Sequence, residues 1–66
     1  MIRIDLIRKW IADSGLKKGR ICEAMGITRA AFSLKMKGER PFSLNDVRTF
    51  RRLGMPVSLI VQIFLT

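Results

Sequence analysis

The stretch Lys18-Gly19-Arg20-Ile21-Cys22-Glu23-Ala24-Met25-Gly26-Ile27-Thr28-Arg29-Ala30-Ala31-Phe32-Ser33-Leu34-Lys35-Met36-Lys37 decides how this chain folds. It reads as two short helices joined by a tight turn. The first covers about residues 18–25. The second opens at Thr28, whose hydroxyl can cap free backbone N–H groups. Between them, Gly26 can take the positive φ that a sharp turn requires. Ile21, Met25, Ile27 and Phe32 fall at inward-facing positions, and Cys22 is small where the second helix must cross closely over the first.

This is a helix-turn-helix pattern, of which the second helix lies in the major groove of DNA. The rest of the chain reads as helices built around it. Ile4, Ile7 and Ile11 recur at helical spacing, with Leu6 and Trp10 in a neighbouring row and Arg3, Arg8, Lys9 and Asp13 outside the stripe. That first helix ends at Ser14-Gly15, and Trp10 belongs to the core. Gly38 stops the helix that begins at Thr28. An extended connector, Glu39-Arg40-Pro41-Phe42, follows it. Ser43 caps a fourth helix, with Asp46 in its first turn; Leu44, Val47, Phe50 and Leu53 are expected inward and Arg48, Arg51 and Arg52 outward. The apolar end from Pro56 to Leu65 suits either a fifth helix capped by Ser58 or a strand, because periodicity cannot settle so short a run. The helix is the preferred reading. The expected fold class is therefore all-α: one domain over residues 1–66, of four or five helices.

Composition points the same way. A chain of 66 residues makes one small domain and has no room for both a deep catalytic cleft and a separate scaffold. Thirteen Lys and Arg stand against five Asp and Glu, a net charge of +8. Seven of the thirteen (Lys17, Lys18, Arg20, Arg29, Lys35, Lys37 and Arg40) lie within residues 17–40, opposed only by Glu23 and Glu39. That concentration on the motif favours a phosphate-facing surface over a merely solvated one. The absence of histidine and the single Cys22 argue against a zinc site, a nucleophilic dyad and an internal disulfide. The five glycines are scattered and form no phosphate-binding loop. No cofactor, metal or enzymatic activity is expected. Charges interrupt the start of the chain, which does not read as a signal peptide. The apolar end is about half the ~20 residues that span a membrane. A reducing cytoplasm is the expected location, with no membrane partner.

The chain resembles the Cro and repressor-type (lambda-repressor-like) helix-turn-helix domains of bacteriophages and their bacterial relatives. The resemblance covers about residues 4–65. It is most specific at Ala24-Met25-Gly26-Ile27-Thr28-Arg29-Ala30-Ala31-Phe32-Ser33. A second marker, Lys35-Met36-Lys37-Gly38-Glu39-Arg40-Pro41-Phe42-Ser43-Leu44, is similar to a Lys-Leu-Asn-Gly-Lys-x-x-Phe-Thr-Leu run of short phage and prophage regulators from Gram-positive hosts. Val61-Gln62-Ile63-Phe64-Leu65 looks like their final helix. The chain departs from the family pattern where Lys18 replaces a common Gln and Cys22 a common Ala. Gly19 also departs from helix preference, weakening the first turn by up to about 1 kcal/mol.

The resemblance implies a sequence-specific DNA-binding transcriptional regulator. Carried onto this chain, the base-facing positions are Thr28, Arg29, Ala30, Ser33 and Leu34. The fork of Arg29 suits the two acceptors of a guanine, and equally a phosphate or open solvent. Ala30 and Leu34 suit thymine methyl groups. Phosphate contacts fall to Lys17, Lys18 and Arg20, and to Lys35, Lys37 and Arg40 at the other end of the motif. Such proteins bind palindromic operators on double-stranded DNA as homodimers, and Leu59, Ile60, Ile63 and Phe64 are the expected dimer or partner surface. A second class of function stays open. Small phage proteins of this kind also act by gripping a repressor protein. Leu34 beside Ala30 and Ala31, with Met36 and Met55 as adaptable surface, suits such a partner.

Overall fold

A computed structural model describes residues 2–65, and its order follows from where helices can start and stop. Five α-helices account for the secondary structure of the described residues: α1 Ile4–Ser14, α2 Lys18–Met25, α3 Arg29–Met36, α4 Leu44–Arg52 and α5 Val57–Phe64. Each of the first two ends on a glycine in the left-handed region, Gly15 at φ 74° and Gly26 at φ 70°. Thr28 caps α3, its Oγ1 accepting from the Ala31 amide at 3.1 Å. Ser43 and Asp46 form a reciprocal capping box on α4, in which each side chain accepts from the other residue's backbone amide.

The helices close around one core of Ile7, Ile21, Cys22, Met25, Phe32, Met36, Phe50, Met55 and Ile63. Helix α2 packs on α3 and α4, and α5 packs on α1 and α4. Phe50, fully buried, is the hub of the aromatic contacts. Trp10 meets it edge-on with centroids 5.9 Å apart, and Phe42 and Phe64 lie at 5.9 and 6.3 Å. Trp10 is thus half-buried and packed against the core. The Arg3 amide donates to the Ile63 carbonyl at 3.1 Å, which pins the start of α1 against α5.

Expectations for six residues are corrected. Leu44 is 67% exposed, because the buried stripe of α4 runs through Asp46, Thr49 and Phe50 and leaves the first helical residue on the far side. Ser58 lies inside α5 and caps nothing; the N-cap is Pro56, which pre-sets the extended entry. Met36 and Met55 are core side chains, 9% and 0% exposed, and do not form the expected adaptable surface. Ile63 is fully buried within the monomer and leaves the expected dimer surface. Lys35 is buried as well, as described below.

Candidate nucleic-acid interface

Helices α2 and α3 are joined by Gly26, Ile27 and Thr28 alone. The Gly26 amide donates to the Glu23 carbonyl and the Ile27 amide to the Cys22 carbonyl, so the end of α2 is satisfied by the turn itself. Cys22 and Phe32 are each 3% exposed, which is what close crossing of the two helices requires of a small and a large residue. The turn leaves Thr28, Arg29, Ala30 and Ser33 exposed at the start of α3, while Leu34 is half-buried. The face therefore carries less apolar surface than an exposed Leu34 implies.

Beside this face an open cleft of about 570 Å³ lies between α1 and α3. Its cationic lining is Arg8 from α1, Lys18 from α2, and Arg29 and Lys37 from the two ends of α3, with Ser33 between them. No acidic side chain of the described residues lies within 4.0 Å of any of these four cations. The ion pairs lie elsewhere: Arg3 with Asp5, Lys9 with Asp13, Arg20 with Glu23, and Lys35 with Asp46. The surface pairs are exposed and contribute little to stability. Their consequence is positional: with the buried Lys35–Asp46 pair, they engage four of the five carboxylates with cations outside the cleft.

Arg29 takes a particular course. An added Cβ at Gly19 would stand 2.9 Å from Arg29 Nη2, so the guanidinium lies directly over the first turn of α2. The glycine that weakens α2 on helix propensity is the one that makes room for this arginine.

The expected phosphate-contacting residues divide into groups. Lys18 and Lys37 both line the cleft, and Lys17 is exposed at the N-cap of α2. Arg20 is exposed with its guanidinium 3.9 Å from Glu23. Arg40 lines a separate hollow of about 220 Å³ with Ile2, Ile4 and Phe42. Lys35 is corrected outright. It shares the inner stripe of α3 with Phe32 and Met36, is 8% exposed, and its ammonium is held by the Asp46 carboxylate while lying 6.0 Å from the Phe42 ring centroid. It cannot meet a phosphate without leaving the core. Leu59, Ile60 and Phe64 are half-buried against the core; the exposed apolar residues of the last segment are Val57, Val61 and Leu65 instead.

Arg8 was not among the expected contacts. Its Nη2 donates to the Met36 carbonyl at 3.5 Å, which draws it from α1 over the end of α3. The one signal for it in the sequence is its place three residues before Ile11, at the border of the apolar stripe.

Among the described residues no group of three or more His, Cys, Asp or Glu is placed to hold a metal ion, and no helix is long and apolar enough to cross a membrane. Comparison with protein-family models, curated proteins and solved structures gives no match.

Proposed function

We propose that the chain is a sequence-specific DNA-binding transcriptional regulator of the Cro or repressor kind, with α2 and α3 as a helix-turn-helix and α3 entering the major groove of an operator. The observation that carries this reading is the cleft along α3, ringed by four cations from three helices with no acidic side chain of the described residues within 4.0 Å. Such a ring is electrostatically unfavourable in isolation and is relieved by a polyanion. Thr28 and Ala30 then face base edges, and the flanking cations, with Ser33 between them, set register on the phosphates. A homodimer on a palindromic site, with half-sites about one DNA turn apart, follows from the small footprint of one such domain.

Binding to duplex DNA should be strongly salt-dependent. If about five of the exposed cations meet phosphates, the logarithm of affinity falls against the logarithm of salt with a slope of about −4 to −5. Fluorescence anisotropy between 50 and 200 mM salt measures it. A slope near zero removes the DNA reading.

A second reading is favoured by one feature of the same face. The exposed first turn of α3 carries Ala30 beside Ala31, so few side chains there can donate or accept hydrogen bonds. A repressor protein gripped through this surface would need fewer of them than DNA does. Selection from a random duplex pool separates the two. Recovery of a shared half-site supports the regulator. A pool with no enriched sequence, combined with a stable complex with a repressor protein, supports the modulator. Ala30→Glu, a change on the solvent side, should abolish whichever complex forms.

A further inference from the structure

We infer that the cleft between α1 and α3 seats a run of one strand's phosphate backbone, with Arg8 as a DNA contact from outside the α2–α3 pair and Arg29 as a backbone clamp, not a reader of bases. This rests on the DNA-binding reading above. The cleft brackets α3 with cations: Lys18 and Arg29 at its start, Arg8 and Lys37 at its end. Eight residues of helix rise about 12 Å, so the bracket reaches more than one successive phosphate of a strand. Any phosphate there meets cations that have no carboxylate of the described residues within 4.0 Å.

Arg8 is tethered by a single long hydrogen bond to Met36, so most of its five donors remain for an anion. Its place over the last carbonyls of α3 also suits the helix dipole, and it needs no reorganisation to face the cleft. Arg29 is turned toward α2. A bidentate guanine contact needs the fork directed into the groove beyond α3, whereas the bare Gly19 lets the guanidinium settle against the backbone of α2, beside Lys18. Two cations so placed match a phosphate flanking the motif. Discrimination between sequences is then left to Thr28 and Ala30, because Ser33 lies inside the cleft beside the backbone.

The test uses the full chain with two labelled duplexes, one recovered by selection from a random pool and one of scrambled sequence, titrated between 50 and 200 mM salt. Arg8→Ala and Arg29→Ala should each weaken both duplexes by the same factor, about tenfold, and reduce the salt slope by about one. Arg8→Lys should keep the slope of the parent. Gly19→Ala should displace the Arg29 guanidinium and weaken both duplexes alike while raising the thermal midpoint. Arg51→Ala, an exposed arginine on α4 outside the cleft, is the control and should change little. If Arg8→Ala lowers the thermal midpoint but leaves affinity and slope as in the control, Arg8 is only a cap on α3 and the cleft assignment is overturned. If Arg29→Ala erases the preference for the selected duplex, Arg29 reads a base and its assignment as a clamp is overturned. A parent protein with no salt-dependent binding overturns the DNA reading itself, and is thereby distinguished from failure of the cleft assignment alone.

Discussion

Phe32→Ala should lower the stability of the domain by about 3 to 5 kcal/mol. Phe32 is 3% exposed and stands in the same core as Ile21, Met25 and Met36, so its removal leaves a cavity where α3 rests on the rest of the molecule. A chain of 66 residues buries only about 60% of its unfolded surface and sits near the low end of the usual range of about 5 to 15 kcal/mol. The loss therefore approaches the whole stability. At about 4 to 8 °C per kcal/mol, the thermal midpoint followed by circular dichroism should fall by more than ~12 °C, or the cooperative transition should vanish. Phe32→Leu, which keeps most of the volume, should retain a cooperative transition. A midpoint unchanged in Phe32→Ala would place the side chain outside the core and break the register assigned to α3.

The second large effect is expected at the pair of Lys35 and Asp46. Asp46 is 2% exposed, and its Oδ2 accepts from both the Lys35 ammonium and the Ser43 amide, the latter at 2.9 Å. One carboxylate thus joins the end of α3 to the cap of α4. Asp46→Ala leaves a buried lysine without its partner and should cost about 3 to 5 kcal/mol. The double variant Lys35→Met/Asp46→Asn removes both charges while keeping an acceptor for the cap, and should recover most of that loss. Chemical denaturation of the single and double variants measures the difference. A double variant no more stable than Asp46→Ala would mean that the pair itself, not the stranded charge, carries the energy.

The same carboxylate sets an acid dependence. Burial pushes the Asp46 carboxyl up, but hydrogen bonds from Lys35 and from the Ser43 backbone and hydroxyl, with the nearby lysine charge, outweigh it and hold the group below its ordinary 3.8. A group whose folded pKa is depressed stabilises the fold above the unfolded value. That contribution is present at neutral pH and is lost as pH falls from about 4 through the lower folded value. The parent should therefore lose stability over this acid range, and the double variant should lose less. Equal acid sensitivity in the two proteins would assign the effect to other carboxylates.

Much of the architecture was written in local features of the chain. Gly15, Gly26, Thr28 and Ser43 mark helix ends because their chemistry acts within a few residues: a positive φ, or an oxygen reaching an amide three positions on. The stripe of α1, the burial of Phe32 and the packing of Trp10 against the core follow from periodicity, which is also local. The concentration of cations over residues 17–40 was visible as a count.

What the chain alone left open or misassigned depends on neighbours distant in sequence. Residues 57–64 suited a strand as well as a helix. They form a helix because Ile60 and Ile63 must both turn toward α1 and α4, and a lone strand would find no ladder partner among the described residues. Lys35 reads as one more phosphate contact until Asp46, eleven residues on, is seen to hold it inside. Leu44 reads as core until the capping box turns Asp46 inward in its place. Arg8 reads as a solvent cation until α1 is laid against the end of α3, and Gly19 as a weak helix residue until Arg29 is laid across it. Helix ends and periodic faces arise from interactions within one or two turns, so sequence determines them. Which cations are spent in the core and which ring the cleft is decided only when helices from distant parts of the chain meet, because charge pairing and burial depend on distance in space.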